Sequence, residues 1–349
     1  MANNHRSDAD PLSTSVVVCA YTEMRWDSIV ESVNSVLKQT VPADEVVVVV
    51  DHNPALLSRC LKELPGVIVV ANTELPGLAG ARNTGIARSS GSIIAFLDDD
   101  AAAEPDWLAR LLPHYADATV LGVGGGITPE WGGPRPSHYP REFDWVVGCS
   151  YVGLPTGPSQ VRNVIGANMS IRRTVFDTVG GFAQDLGRIR SRPAGCEETE
   201  LCIRALARMH NGCFVYEPAA VVHHRVGPER QTWAYFRSRC FSEGRSKAVV
   251  AGLVGAGAGL AAERTYVRHV LPHGVLRGLR DFLLGDATGL VRAGWIIAGL
   301  SFTTAGYLAG GVSASRRRRK AQPITYAAAS GAVVATPVSS MVINQENVS

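Results

Sequence analysis

The chain has 349 residues, a formal net charge of +3 and a mean hydropathy of +0.07. At roughly 150 residues per domain, this length predicts about two structural units. Hydrophobic residues make up 46% of the chain and charged residues 19%, so it can bury a core and is not an intrinsically disordered polymer. The basic residues are not gathered into one stripe, so composition and charge exclude nucleic acid as an expected partner.

The seven cysteines are scattered along the chain and form no Cys-x-x-Cys pair. This spacing supports neither a zinc ribbon nor a thioredoxin-type site. It predicts buried, reduced thiols in a cytoplasmic protein. Residues 1–11 are polar and lack an apolar stretch, so we expect no secretory signal.

The first hundred residues alternate between strand and helix patterns. The segment Glu45–Val50 (EVVVVV) is continuously apolar, as is typical of a parallel strand covered on both faces. Such alternation predicts an α/β fold with a mostly parallel sheet and right-handed connections. The predicted strands are 15–20, 45–50, 67–71 and 93–97, and the predicted helices are 26–38 and 80–89.

The middle of the chain has a different composition. Residues 122–158 are rich in Gly, Pro and aromatic side chains and predict long functional loops with short strands. Regular patterns return in a stretch at 166–173, a helix from Glu197 to about Met209, and two short strands at 214–216 and 220–223.

After Lys247 the sequence becomes typical of a membrane-associated region. Residues 248–262 are uncharged but too short to span a bilayer, whereas 264–292 read as a basic amphipathic segment. Residues 293–315 carry no charge, and Arg316–Lys320 (RRRRK) follows directly. We expect this region to hold the protein at the cytoplasmic face of the cell membrane. It could span the bilayer, form a hairpin or lie on the surface, and the alternative is a helical pair packed on the domain before it.

These patterns predict four regions along the chain. They are a disordered N-terminus at 1–14, an α/β domain at 15–247, a helical membrane-associated region at 248–320 and a flexible tail at 321–349.

The strongest chemical signal is the run Asp98-Asp99-Asp100, directly after the apolar strand Ile93–Leu97. Three carboxylates at the end of a buried strand repel one another and lose solvation, so folding alone does not favour them. A divalent cation removes that conflict, and oxygen ligands suit Mg²⁺ or Mn²⁺. The alternative is an exposed acidic turn.

Seven short motifs follow one another in a fixed order along the chain. They are Val18–Glu23, Val49–Asp51, Gly80–Gly85, Phe96–Asp100, Gly166–Met169, Glu197–Leu201 and His223-His224. This ordered set resembles family 2 glycosyltransferases with the GT-A fold, over about Ser15 to Lys247. That resemblance implies an inverting, metal-dependent transfer of a sugar from a nucleotide-activated donor, and a mostly parallel sheet flanked by helices.

The resemblance also implies roles for individual residues at the donor site. The residues after the first strand would line the base and ribose pocket, and Asp51 would hold the base, usually uracil. The glycine-rich helix start would reach the diphosphate and sugar, where an arginine offers a fork for phosphate oxygens. The implied nucleotide-sugar-binding residues are Ala20, Tyr21, Glu23, Asp51, Gly80, Arg82, Asn83, Asp98 and Asp99.

For the metal, the resemblance implies Asp98 and Asp100, with a histidine on a later strand as a further ligand. His223 and His224 are both candidates, but adjacent residues of a strand face opposite sides, so at most one should bind. The family places the general base at the start of a helix, in a Glu-Asp pair.

Here that pair is Glu197-Glu198, which makes Glu198 the expected base and leaves Glu197 as the alternative. A Glu at a helix N-terminus is also favourable for the helix dipole alone.

Two further comparisons narrow the expected function. The Gln-x-x-Arg-Trp signature of processive synthases is absent from 221–247, which favours addition of a single sugar. Segments 21–26 and 49–57 are similar to the subgroup that includes archaeal glucuronosyltransferases acting on glucosyl-dolichyl phosphate, which suggests a lipid-linked or other cell-envelope glycan acceptor. The alternatives are a nucleotidyltransferase that makes the sugar nucleotide and a non-catalytic membrane scaffold.

Overall fold

The computed structural model describes residues 12–184, 195–254 and 261–320. The predicted tail at 321–349 and residues 1–11 of the predicted N-terminal region lie outside the described residues. Within the described part, one mixed sheet contains the strands β1 Thr14–Ala20, β2 Glu45–Val50, β3 Ile68–Ala71, β4 Ile93–Asp98, β5 Ala101–Ala103, β6 Val120–Glu130, β7 Ser159–Val161, β8 Asn168–Arg172 and β9 Cys213–Arg225.

Helices flank this sheet and form the end of the chain. The α-helices are α1 Trp26–Leu37, α2 Pro54–Glu63, α3 Leu78–Arg88, α4 Trp107–Leu111, α5 Arg173–Val179, α6 Glu197–Arg208, α7 Trp233–Val254, α8 Ala261–Thr265, α9 Leu271–Leu283 and α10 Thr288–Lys320. A π-helical turn, Tyr266–Val270, joins α8 to α9, and short 3₁₀ turns lie at Glu23–Arg25, Leu112–Ala116, Arg141–Val147 and Pro228–Gln231.

The first half of the sheet confirms the predicted parallel α/β pattern. Strands β3, β2, β1 and β4 lie side by side in that order and are all parallel. The valines of β2 are buried because helices cover both faces of the sheet. Helix α1 packs on one face through Ile29, Val33 and Val36, which recur at helical spacing.

The second half of the sheet differs from the predicted loops. Strand β6 is eleven residues long, parallel to β9 and antiparallel to β8, and β8 is antiparallel to β4. Its glycines allow close packing: a Cβ on Gly125 would lie 2.1 Å from the carbonyl oxygen of Ala220. The glycine content of this segment therefore reflects tight contact between strands, and the order β3-β2-β1-β4-β8-β6-β9-β5 is mixed rather than mostly parallel.

The C-terminal helices pack on the sheet domain and on each other. Helices α9 and α10 form an antiparallel pair, called here the C-terminal hairpin, and α10 lies along α7. At their contact with α7, Gly244 and Gly306 leave room for close backbone approach. In residues 12–184, 195–254 and 261–320, no helix combines the length and the apolar character needed to cross a membrane.

Asn168 connects three strands at the centre of the sheet. Its fully buried Nδ2 donates to the carbonyl oxygens of Gly126 and Ala220, both at 2.9 Å, and its Oδ1 accepts from Trp107 Nε1 at 2.7 Å. A single amide therefore satisfies three buried groups on β6, β9 and α4.

We predict that Asn168→Ala lowers the free energy of unfolding by about 3 kcal/mol, because each buried partner left without a hydrogen bond costs about 1 kcal/mol or more. Urea unfolding measures this change. The control is Asn34→Ala, at an exposed position of α1, for which we expect a change within about 0.5 kcal/mol. Equal midpoints for the two variants would contradict the role of Asn168.

Candidate active site

The candidate site lies at the edge of the sheet where the parallel strands β1, β2 and β4 end. Carboxyl ends of neighbouring parallel strands are where α/β proteins bind ligands. Asp51 follows β2 there, and its side chain accepts hydrogen bonds from Asn72 Nδ2 at 2.6 Å and from the backbone N–H of Gly77 at 2.9 Å. The expected donor residue Asp51 is thus held in place by two donors.

The residues after β1 lie at the same edge. Ala20 is buried and its carbonyl oxygen accepts from the backbone N–H of Asp51 at 2.7 Å, whereas Tyr21 is 45% exposed. Glu23 begins the 3₁₀ turn that leads to Arg25, whose guanidinium lies 5.3 Å from the centre of the Tyr21 ring. Tyr21 and Asp51 therefore lie at the same edge of the sheet, and their contact with a base stays a prediction.

Asp98, Asp100 and His224 come together after β4. One ligand atom of each lies within 4.8 Å of the others, and His224 Nε2 is 3.2 Å from Asp100 Oδ1. Strand pairing produces this arrangement, because β5 and β9 are antiparallel with Ala101 opposite His224. Two carboxylates and an imidazole are a donor set that suits Mn²⁺.

His223 lies on the opposite side of β9, as alternation along a strand requires. Its Nε2 is 2.6 Å from Glu104 Oε1 and its Nδ1 is 3.7 Å from Glu130 Oε1. Of the two candidate histidines, the structure places His224 in the acidic cluster. His223 lies outside it and pairs with exposed carboxylates instead.

Two arginines that sequence reasoning missed partly neutralise the acidic cluster. Arg230 Nη2 is 3.0 Å from Asp100 Oδ2, and Arg25 Nη1 is 3.1 Å from the same oxygen and 2.8 Å from Asp99 Oδ1. Arg25 lies two residues after the motif Val18–Glu23, and Arg230 lies six residues after His224, but neither belongs to a periodic pattern. Only the fold brings them together.

The pKa values of Asp99 and Asp100 are shifted in opposite directions. Burial and the neighbouring Asp100 raise the pKa of Asp99 to about 7, and Asp99 Oδ2 is buried without a hydrogen-bond partner among the described residues. Burial would also raise the pKa of Asp100, but His224, Arg230 and Arg25 outweigh it and hold that pKa well below its usual range. An additional cation would relieve the remaining repulsion, so these residues fit a divalent metal.

Arg82, the predicted phosphate contact, makes internal contacts in this structure, and its contact with phosphate stays a prediction. It is 2% exposed, and its Nη1 donates to Glu197 Oε1 at 3.0 Å while its Nη2 donates to the carbonyl oxygen of Gly166 at 2.9 Å. The same Nη2 lies 3.4 Å from Asp98 Oδ1. Arg82 therefore ties the end of β4 to the start of α6.

Two other residues of the motif Gly80–Gly85 in α3, Asn83 and Gly80, also make internal contacts. Asn83 donates from Nδ2 to the carbonyl oxygen of Phe182 at 2.9 Å and accepts from its N–H at 2.8 Å, so it fixes that loop. A Cβ on Gly80 would lie 2.1 Å from the carbonyl oxygen of Leu75, which explains the glycine by close packing. Contact of these residues with a sugar or diphosphate stays a prediction.

The structure separates the two glutamates at the start of α6. Glu197 is 4% exposed, and its carboxylate forms an ion pair with Arg82. Burial and the adjacent Glu197 raise the pKa of Glu198 from 4.5 to about 7, which suits a group that exchanges protons near neutral pH. Just before them, the Sγ of Cys196 donates to Glu243 Oε1 of α7 at 3.3 Å, so the C-terminal helices contact this end of the site.

Comparisons with known proteins agree with this geometry. Residues 15–180 match the model described as "Glycosyl transferase family 2". The chain is 35% identical over 243 residues to the glucosyl-dolichyl phosphate glucuronosyltransferase of Haloferax volcanii, aligning 68% of this chain with 77% of that protein. It is 27% identical over 248 residues to the succinoglycan biosynthesis protein ExoM of Rhizobium meliloti, aligning 68% of this chain with 74% of that protein.

Solved structures confirm the GT-A fold. A mannosyltransferase from Pyrobaculum calidifontis in complex with GDP-Man and Mn²⁺ matches with a TM-score of 0.52 at 20% identity, covering 84% of this chain and 87% of that chain. GalNAc-T7 with UDP, GalNAc and Mn²⁺ matches with the same TM-score and identity over 84% of this chain and 57% of that chain.

The Arg82–Glu197 pair yields a prediction about stability. Arg82→Met leaves the buried Glu197 carboxylate without its partner, and we expect a loss of about 3–5 kcal/mol in the free energy of unfolding. Adding Glu197→Gln should recover part of that loss, because no buried charge is then left unpaired at this position. A double-mutant cycle by urea unfolding measures the coupling, and strictly additive losses would refute a direct interaction.

Proposed function

Because the chain belongs to glycosyl transferase family 2, we propose that it transfers one sugar, with inversion, from a nucleotide-sugar donor to a hydroxyl group. We propose a UDP-sugar as the donor and a lipid-linked or other cell-envelope glycan intermediate as the acceptor. The observation that carries this proposal is the cluster of Asp98, Asp100 and His224 beside the Glu197-Glu198 pair, at the sheet edge that Asp51 also borders.

We propose that Asp98, Asp100 and His224 hold Mn²⁺ or Mg²⁺. When bound, such an ion stabilises the negative charge of a departing nucleoside diphosphate. The two arginines on Asp100 keep this carboxylate ionised and oriented in the absence of other cations. The Mn²⁺ named in both matching structures supports manganese, as does an imidazole among the donors.

Glu198 serves as the general base in this proposal. Its carboxylate takes the proton of the acceptor hydroxyl while the hydroxyl oxygen forms a bond to the anomeric carbon. The bond from that carbon to the diphosphate oxygen breaks on the opposite face, which inverts the configuration. Glu197 does not take this role, because Arg82 already binds its carboxylate. Arg82 instead fixes the start of α6 relative to Asp98.

The acceptor proposal rests on the resemblance to the Haloferax volcanii enzyme, whose name specifies glucosyl-dolichyl phosphate. A lipid-linked acceptor places the reaction at a membrane, and we propose the cytoplasmic face. The membrane-associated region predicted from 248–320 is consistent with this location.

Sugar transfer is favoured over the two alternatives. A nucleotidyltransferase needs a glycine-rich, basic loop for a triphosphate directly after the first strand, where this chain has Tyr21-Thr22-Glu23. A non-catalytic scaffold has no need to bury two acids, Asp99 and Asp100, beside a histidine. In this chain ligand atoms of Asp98, Asp100 and His224 lie within 4.8 Å of one another. Membership of a glycosyltransferase family also favours an enzyme.

We predict that UDP-sugars raise the melting temperature of the protein only when Mn²⁺ or Mg²⁺ is present, more than GDP-sugars do. His224→Ala and Asp100→Ala should each abolish this shift, since both remove a proposed ligand. The matched control is His223→Ala, which faces Glu104 and should keep the full shift. If His224→Ala and His223→Ala respond alike, the metal assignment is wrong; if no nucleotide sugar shifts the wild type, the function is wrong.

We predict that Glu198→Gln binds donor normally but loses about 10²–10⁴-fold in transfer rate, because it cannot accept a proton. The base works only when ionised, so the wild-type rate should rise with pH and reach half its maximum near pH 7, where the raised pKa of Glu198 lies. Steady-state rates from pH 5 to 9 measure both effects. A rate independent of pH in this window, or near-normal turnover by the variant, would assign the base elsewhere.

A further inference from the structure

Several large apolar side chains of the C-terminal hairpin face solvent, and several of its glycines face the protein. In α9, Gly274 and Gly278 are buried, whereas Leu276, Leu279 and Leu283 are 63%, 40% and 82% exposed. A helix on a water-soluble surface has the opposite arrangement, with leucines inward. The exposed leucines recur at i, i+3 and i+7, so they form one continuous stripe along α9.

Helix α10 has a similar arrangement where it contacts α9, although its Ile296 is buried. Its inner side carries small residues such as Gly289 and Ala293, and a Cβ on Gly278 would lie 2.6 Å from the carbonyl oxygen of Gly289. Leu290 and Ile297, at outer positions, are 49% and 57% exposed. Small residues between helices with large apolar residues outside are typical of helices that pack in contact with lipid.

The exposed apolar surface is densest where the two helices meet. Around the turn at Gly285, a set of five apolar side chains between 282 and 291 is 44–82% exposed. Single exposed apolar residues are normal on soluble proteins, but a contiguous patch marks a binding surface. This patch, called here the hairpin tip, consists of Phe282, Leu283, Leu284, Leu290 and Val291.

The positive charge of this region indicates what binds to the hairpin tip. Residues 261–320 contain ten basic side chains and three acidic ones, although the whole chain is only +3. Arg264, Arg268 and Arg280 are exposed, and Arg277, which pairs with Glu142, leaves 53% of its side chain exposed. A second copy docking through the same face would bring like charges together, whereas anionic lipid headgroups complement them.

We propose that the hairpin tip and the leucine stripe of α9 insert into the interface of an anionic membrane, with the flanking arginines binding its headgroups. The helices lie in the interface rather than crossing it, in keeping with the finding that no described helix has the length and apolar character of a span. This inference rests on the proposed function, because an enzyme that uses a lipid-linked acceptor must bind at a membrane surface.

The test is sedimentation of the full chain with vesicles of phosphatidylcholine alone or mixed with phosphatidylglycerol. We expect the wild type to bind the mixed vesicles and to lose binding at high salt, since exposed charges are screened. Leu279→Ser with Leu283→Ser should weaken partition by about tenfold or more, because two apolar side chains no longer enter the interface. The matched control, Leu37→Ser with Leu61→Ser, alters leucines of α1 and α2 that are 46% and 62% exposed and should bind as the wild type does.

Two further measurements complete the test. Arg268→Glu with Arg280→Glu should remove the preference for phosphatidylglycerol while leaving the melting temperature unchanged, since both side chains are exposed. Light scattering reports the molecular mass of every variant.

The proposal is overturned if the leucine variant binds vesicles like the wild type. It is also overturned if that variant instead dissociates a dimer, because a second copy of the chain would then cover this surface. Donor binding is measured separately, without vesicles. If the chain binds no donor, the proposed function is wrong but the proposed docking surface is not contradicted.

Discussion

The repulsion among three adjacent carboxylates at the end of β4 is the constraint on which the site depends. Asp99 and Asp100 are buried, and each is held by a guanidinium from a different part of the chain: Arg25 after the first strand and Arg230 after the last. The two ends of the catalytic domain therefore meet at these acids. A set of charges that folding alone would disfavour persists because the sheet holds the compensating groups in place.

A second ion pair extends this constraint to the catalytic candidates. Arg82 binds Glu197 and lies beside Asp98, so the start of α6 is fixed relative to the acidic cluster. This arrangement gives the two glutamates different environments, one paired and one with a raised pKa, although they are neighbours in sequence. The difference in environment, rather than the residue type, distinguishes Glu198 from Glu197 as the proposed base.

The C-terminal helices are connected to this centre. Glu243 of α7 accepts a hydrogen bond from Cys196 and lies 3.7 Å from Lys247 Nζ, and Lys247 in turn contacts Glu263 of α8 at 2.7 Å. One hydrogen bond and two ion pairs thus connect Cys196, two residues before the candidate base, to Glu263 of α8. These contacts connect the start of α6, which carries the proposed base, to α7 and α8.

The sequence alone determined the parallel half of the sheet, because β-branched runs such as Glu45–Val50 alternate with helical periods and these are local properties. It also determined the acidic cluster and the family, since Asp98 to Asp100 lie next to one another in an ordered set of motifs. Tertiary structure decided the rest: Arg230 reaches Asp100 across 130 positions, Arg82 turns to Glu197 across 115, and the leucines of α9 face outward. Such pairings depend on how distant strands and helices pack, and periodicity in a single segment carries no information about the partner it will meet.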